Sequence, residues 1–208
     1  MAYDLEEQEQ LDELRAWWKK NGNLVSWIVL IAALALAGVE GWKYYHQKQS
    51  IDASIKFDSL RELGPTDTKA IQAISGELIE KYSSTPYAGR AAIAAAKTNL
   101  DAKDSKSAKA QLEWASKNAK EDAVKAIALL QLAALHYEDK DYDGALKTLE
   151  EKHDAAFDGL FADLKGDILV AQNKLPEAKT AYTEALSKLD VEGHYFQFTQ
   201  HKLEALGS

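Results

Sequence analysis

The sequence has no cysteine, which excludes disulfides, thiolate metal sites, a cysteine nucleophile and lipid attachment through cysteine. It also has little proline and glycine, with 3 Pro and 11 Gly in 208 residues, so helices can run uninterrupted for several turns. Its 25 basic residues are outnumbered by 33 acidic ones, giving a formal net charge of −8. A nucleic-acid binder needs a basic stripe instead. We expect a mostly helical protein with no nucleic acid among its partners.

The sequence also lacks the common signatures of catalysis. It contains no phosphate-binding glycine loop, no Gly-x-Ser-x-Gly elbow and no conspicuous pair of general acid and base. A metal such as zinc needs three or four converging ligands, and the five histidines are scattered along the chain: His46, His136, His153, His194 and His201. We therefore predict a protein that is not an enzyme and has no cofactor and no metal site.

One long apolar stretch stands out near the amino terminus. From Asn21 to Val39, 19 residues carry no charge, and a helix of that length spans roughly 28 Å, close to the hydrocarbon thickness of a bilayer. Aromatic residues suited to the headgroup layers lie on both sides of it: Trp17, Trp18, Trp42, Tyr44 and Tyr45. The pattern predicts a transmembrane helix over residues 21–42.

Two other interpretations of this stretch are open at the level of sequence. Ala35-Leu36-Ala37 before Gly38 has the small-x-small form of a signal-peptide cleavage site, and a helix buried in a soluble core would also be apolar. Six acidic residues precede the stretch, whereas a secretory leader is short and net positive. This leader favours an anchor that is not cleaved.

The orientation of this anchor is not fixed by charge, because three basic residues precede the span and three follow it closely. A short tail followed by one span and a long polar domain most simply gives a cytoplasmic amino terminus. We expect residues 1–20 to be a cytoplasmic tail and residues 43–208 a periplasmic domain at the inner membrane of a bacterium.

The stretch "DLKGDILVAQNKLPEAKTAYTEAL" reads as two helices joined by a turn. Gly166, Ala178, Tyr182 and Ala185 have the mutual spacing of positions 8, 20, 24 and 27 of a tetratricopeptide repeat. Small residues at these positions let two antiparallel helices approach closely, and the aromatic ring fills the remaining space. The stretch therefore predicts one helical repeat.

Two earlier units share this pattern. Ala145 lies 33 residues before Ala178, and Ala108 lies 37 residues before Ala145. Ala133 and Ala96 take the glycine position, and Leu149 and Leu112 take the aromatic one. A weaker fourth unit covers residues 50–83, with Ala70 at the equivalent position and a turn at residues 64–65. Alanine-rich helices can match such a pattern by chance, but the third unit favours an all-α repeat solenoid.

Two surfaces of the predicted solenoid follow from this register. A final helix carries Tyr195, Phe196, Leu203 and Leu206, and we expect it to cover the exposed end of the core. First helices of such repeats line a concave groove that can hold a partner segment. The residues expected to face this partner-binding groove are Arg90, Lys97, Tyr137, Asp163 and Asp167, with a solvated helix face as the alternative.

The amino-terminal part carries two further patterns. Ala33, Ala37 and Gly41 recur every four residues and form a row of small side chains on which a second membrane helix could pack, although alanine is also common filler in spans. Leu11, Leu14 and Trp18 form an apolar stripe in the tail, which fits either a partner or docking on the membrane interface.

Taken nearly end to end, the chain resembles the YfgM-type inner-membrane proteins, which are ancillary subunits of the bacterial SecYEG translocon. The resemblance rests on the acidic tail ending in "WWKKNG", the exit "GWKYYHQKQSIDAS", the units around "YAGRAAIAAAK" and "LKGDIL", and the final "FTQHKLEAL". It implies a single-pass protein with a periplasmic repeat domain that associates with the translocon and with the membrane-anchored chaperone PpiD.

Two functions from different classes are consistent with these observations. The resemblance implies a non-catalytic interaction module that assists unfolded secretory clients and outer-membrane proteins as they emerge from the translocon. The alternative is a structural scaffold that organises an envelope or cell-division complex without contacting secretory clients.

Overall fold

The structure, a computed structural model, describes residues 2–64 and 66–207, with side chains from residue 7 onward. These residues form helices and turns without a strand, so the all-α prediction is confirmed. The helices are α1 (Ala2–Glu62), α2 (Thr68–Lys81), α3 (Pro86–Asp101), α4 (Ser105–Asn118), α5 (Asp122–Glu138), α6 (Tyr142–Leu149), a 3₁₀ turn (Ala155–Phe157), α7 (Asp158–Ala171), α8 (Leu175–Lys188) and α9 (His194–Ala205).

The chain divides into two compact units, one ending at Lys48 and the other starting at Gln49. In the first unit, α1 carries the predicted span. It is the one helix among the described residues that is long and apolar enough to cross a membrane, with a mean hydropathy of 2.1 in its most apolar window. The large side chains of this stretch, such as Leu24, Ile28 and Leu36, are mostly exposed. This exposure excludes the interpretation of the span as the core helix of a soluble domain.

The second unit consists of helix pairs, and the predicted repeat positions lie between the two helices of each pair. α3 packs on α4, α5 on α6, and α7 on α8. The small residues that define the register are fully buried in all three pairs: Ala96, Ala108, Ala133, Ala145 and Ala178, with Gly166 buried as well. The three predicted repeats are confirmed.

The closest approach in the third pair occurs where Gly166 of α7 faces Tyr182 of α8. A Cβ atom added at Gly166 would overlap the Tyr182 ring. The ring is only 2% exposed, and its hydroxyl donates a hydrogen bond to Asp167 Oδ1 at 2.7 Å. The aromatic side chain therefore occupies the space that the glycine leaves.

The turn between the two helices has the same conformation in each pair. Lys103, Lys140 and Asn173 all have φ near +60°, the left-handed conformation that ends many helices. In each turn this residue donates its N–H to the carbonyl three residues earlier, and the next N–H reaches the carbonyl five residues earlier. Asp104 and Asp141 then cap the second helix with their side chains. The repeat is thus reproduced in the backbone as well as in the packing.

The predicted fourth unit is present, but its register is shifted by one residue. Ile71, Ser75 and Leu78 are the buried residues of α2, with the spacing that Ala108, Leu112 and Ala115 have in α4. Ala70, which the sequence placed at this position, is only half-buried, so that assignment was wrong. The end of α1 pairs with α2 through an apolar cluster and a 2.8 Å ion pair between Lys56 and Glu77. Pro65 of the predicted turn lies outside the described residues.

The final helix covers the end of the core with only part of the predicted set. Leu203 of α9 and Leu206, the residue that follows the helix, pack against the cluster formed by Leu169, Ala178, Ala181 and Tyr182. Phe196 is half-buried, whereas Tyr195 is 61% exposed and does not contribute to this core. The covering role of α9 is confirmed and the place of Tyr195 is corrected.

Two glycines provide a matched test of the helix contact. Gly166→Ala should lower the free energy of unfolding by about 1–3 kcal/mol, because the new methyl group overpacks the site of Tyr182. Gly76→Ala, in the exposed middle of α2 with no neighbour within 4 Å, should raise it by up to about 1 kcal/mol through helix propensity. Denaturant unfolding of the intact protein measures both. Equal effects of the two substitutions would contradict close packing at Gly166.

Candidate functional site

The first helices of the pairs form one surface, since α3 contacts α5 and α5 contacts α7. We call this surface the first-helix face and define it by the predicted groove residues Arg90, Lys97, Tyr137, Asp163 and Asp167. Apolar residues take the equivalent repeat positions of these helices and are half-buried: Ile127 and Leu160 correspond to Arg90, Ile93 and Leu130 to Asp163, and Val170 to Tyr137. The face therefore combines apolar and charged groups, as a protein-binding surface does.

Arg90 links two first helices. Its Nε lies 2.7 Å from Glu121 Oε2 and its Nη2 lies 2.6 Å from Glu121 Oε1, the two-pronged geometry that an arginine makes with a carboxylate. The hydrogen bond to Glu121 raises the pKa of Arg90. Because Glu121 immediately precedes α5, the pair ties the start of α3 to the start of α5. The charge of Arg90 is thus balanced within the chain.

Lys97 and Tyr137 differ in their surroundings. Lys97 is exposed on α3. Tyr137 is half-buried, packs against the core cluster of α5, α6 and α7, and lies 6.0 Å from Tyr142 between ring centroids. The sequence placed both on an exposed face, which fits Lys97. For Tyr137 that placement is incomplete, because part of its ring belongs to the core.

Asp163 and Asp167 both contact the final helix. Lys202 Nζ lies 2.8 Å from Asp163 Oδ2 and 2.8 Å from Asp167 Oδ2. Thr199, only 1% exposed, donates its hydroxyl to Asp163 Oδ1 at 2.8 Å. We call these residues, together with Tyr182, the α9 anchor. The sequence predicted that both carboxylates face the partner-binding groove; α9 supplies hydrogen-bond donors to both, and their contact with a partner stays a prediction.

Lys202 keeps its positive charge at neutral pH. Burial acts to lower the pKa of Lys202, but its hydrogen bonds to Asp163 and Asp167 outweigh that effect, so the pKa is raised. A raised lysine pKa contributes stability that is complete below the ordinary value near 10.5 and is lost only as the pH rises through the higher folded value. Burial and the hydrogen bond to Asp167 likewise raise the pKa of Tyr182. Lys202 therefore contributes its full stabilisation at neutral pH.

The histidines have local packing roles. His136 Nδ1 lies 2.7 Å from Asp141 Oδ2, the carboxylate that caps α6, and the His153 ring stacks on Phe161 at 3.5 Å between centroids. Within the part of the chain that the structure describes, no three histidine, aspartate or glutamate side chains converge as metal ligands.

Comparison with known proteins agrees with this architecture. The family model described as "Tetratricopeptide repeat-like domain" matches residues 15–208. The chain belongs to this family. No solved structure matches the chain.

The relatives within this family share one description. An "Ancillary SecYEG translocon subunit" of Neisseria gonorrhoeae is 31% identical over 99% of this chain and 100% of its own. Proteins with the same description are 31% identical over 89% of this chain and 91% of their own in Haemophilus influenzae, and 25% identical over 96% of each in Escherichia coli K12. The resemblance recognised in the sequence is confirmed.

The small residues of the span lie together on α1. Ala33, Ala37 and Gly41 are exposed, and a Cβ atom added at Gly41 would meet no atom within 4 Å. In the described part of the first unit this row is exposed, and its packing against a second membrane helix stays a prediction. Leu11, Leu14 and Trp18 of the tail are also exposed, each by half or more.

Sequence reasoning missed one feature of this repeat domain. Val191, Tyr195 and Phe198 are exposed by 67%, 61% and 65%, although all three are large and apolar. The signal was present in "VEGHYFQF", but those residues read equally well as core of a final helix. Only the positions of Thr199 and Lys202 show which side of α9 is buried.

Substitutions of Tyr137 and Lys97 distinguish the partly buried residues of the first-helix face from the exposed ones. Tyr137→Ala should lower the free energy of unfolding by about 1–3 kcal/mol, because a partly buried aromatic ring leaves a cavity in the second pair. Lys97→Ala should change it by less than about 0.5 kcal/mol, as expected for an exposed side chain. Thermal and denaturant unfolding of the intact protein measure both changes. If Tyr137→Ala left the free energy of unfolding unchanged, the Tyr137 ring would not be part of the core.

Proposed function

We propose that this protein is a non-catalytic, membrane-anchored interaction module that acts as an ancillary subunit of the SecYEG translocon. The observation that carries the proposal is the end-to-end match to relatives described as ancillary SecYEG translocon subunits, which includes both the apolar helix and the repeat domain. A repeat domain supports such a role because helix pairs present an extended surface for other proteins.

The apolar helix acts as an uncleaved anchor in the bacterial inner membrane. Its exposed apolar side chains suit a lipid surface, and the acidic leader does not suit a cleaved signal. The amino-terminal tail is cytoplasmic and the repeat domain is periplasmic, the arrangement that a short tail and a long following domain favour. In this arrangement the repeat domain meets chains as they leave the translocon.

Within this proposal, the repeat domain assists the handling of secreted and outer-membrane proteins together with the periplasmic chaperone PpiD. The support for PpiD is the family resemblance. The support for contact with unfolded clients is the mixture of half-buried apolar groups and exposed Lys97 on the first-helix face. A scaffold that never contacts clients would not need this face.

The orientation can be tested because the chain has no cysteine of its own. A single cysteine placed by Lys120→Cys, at an exposed site in the repeat domain, should react with a membrane-impermeant maleimide in spheroplasts. Glu9→Cys, at an exposed site in the tail, should react only after the membrane is permeabilised. The opposite labelling pattern would reverse the proposed topology.

Recovery of membrane partners tests both the function and the row of small residues on α1. The tagged intact chain, purified from detergent-solubilised membranes, should bring SecYEG with it. Ala33→Leu with Ala37→Leu should preserve insertion, since leucine is at least as apolar, but should reduce recovery because the helices can no longer approach closely.

The matched control is Ala32→Leu with Ala35→Leu, which adds the same groups to the other side of the helix. Failure of the wild-type chain to recover SecYEG would reject the translocon function. Equal recovery by the two double variants would mean that attachment does not depend on this row.

A further inference from the structure

The second unit carries an apolar stripe that none of its own helices covers. Val191 lies in the turn before α9, and Tyr195 and Phe198 follow three residues apart in the first turns of the helix; each of the three is more than 60% exposed. Elsewhere in the described part of this unit, large apolar side chains are exposed only at Ile51, Ile55 and Leu175. We call Val191, Tyr195 and Phe198 the α9 stripe. An aromatic pair left in water at this spacing is typical of a docking site for a helix.

The α9 anchor fixes the side on which the stripe lies. Tyr195 stands one turn before Thr199, and Phe198 stands one turn before Lys202, the two residues that bond to Asp163 of α7. Residues one turn apart lie on the same side of a helix. Tyr195 and Phe198 therefore lie toward the side of α9 that bonds to Asp163, and the α9 anchor fixes this orientation of the helix.

The packing of helices in the repeat domain indicates that a helix is the kind of partner that would fit on α9. Each first helix of the solenoid is followed by another helix that packs on it, as α5 follows α3 and α7 follows α5. A helix from another protein could pack on Tyr195 and Phe198 of α9 in the same way, because the side chains of two helices interdigitate along their facing surfaces.

The charges beside the stripe indicate the sign of that partner. Asp190 and Glu192 flank Val191, both exposed, while Asp163 and Asp167 lie on the α7 side with Lys202 as their shared cation. In the described residues Asp190 and Glu192 form no ion pair, whereas Asp163 and Asp167 share Lys202, so two exposed carboxylates without a cation flank Val191. A second copy of this chain would bring the same excess of negative charge, so electrostatics disfavour self-association there and favour a basic partner.

We propose that the α9 stripe is the docking site for an amphipathic helix of a partner protein, with apolar residues three and four positions apart and flanking lysine or arginine. This inference rests on the proposed function only for the location of the partner, which would be at the periplasmic side of the inner membrane. The partner helix would pack on Tyr195 and Phe198 and would place its basic side chains near Asp190 and Glu192.

A photo-crosslink from the stripe tests the proposal in the intact protein. The probe is p-benzoylphenylalanine in place of Phe198, irradiated in cells, with the attachment point mapped by mass spectrometry. The expected product is joined to a segment that has helical apolar spacing and basic flanks. The same probe in place of Ile55, an exposed apolar residue of α1, is the control and should not give that product.

A pair of double variants gives the energetic test. Tyr195→Ser with Phe198→Ser should reduce recovery of the crosslinked partner roughly tenfold or more, as loss of two aromatic anchors does. Its melting temperature should stay within a few degrees of the wild type, because both side chains are mostly exposed. Ile51→Ser with Ile55→Ser should leave recovery unchanged. Higher salt should weaken the wild-type interaction if opposite charges contribute.

Several results would overturn the proposal. These are a crosslink to a second copy of this chain, to an extended or acidic segment, or to lipid alone, and unchanged recovery by the Tyr195 and Phe198 double variant. A chain that gives the expected crosslink but does not recover SecYEG would reject the translocon function and leave the docking site in place. The two conclusions can therefore fail separately.

Discussion

The close approach of two helices at a small residue is the constraint on which the repeat domain depends. Ala96, Ala133 and Gly166 stand where the two helices of each pair meet, and all three are buried. A larger side chain at any of these positions would move the helices apart and disturb the stacking of the next pair. The first-helix face exists only because this spacing is repeated along the chain.

That repetition also explains which parts of the fold could be predicted from the sequence. The three complete pairs could be recognised because their small residues are separated by nearly constant intervals and are required by packing. The fourth pair was placed one residue out of register, since Ile71 takes the position expected for Ala70. The interval between this pair and the next depends on the length of the segment that connects them. The pattern of small residues within a pair does not predict that length.

The candidate site was less predictable, because its contacts join residues distant in the sequence. Asp163 and Asp167 occupy groove positions of their repeat, but both bond to Lys202, which lies more than 30 residues later in the sequence. Nothing in the local pattern of α7 indicates this partner. Arg90 pairs with Glu121 for the same kind of reason. The exposed α9 stripe could be found only after the anchor had fixed the orientation of the last helix.

The composition of the core has a mechanical consequence. Of the 30 buried apolar residues in the described part of the chain, 17 are alanine, and a methyl group removes much less surface from water than a leucine side chain does. Each helix pair is therefore held by many short contacts of small energy and by its immediate neighbours. In such a domain, individual helix pairs are expected to open locally without unfolding of the whole domain. Opening of one pair would therefore leave the more distant pairs folded.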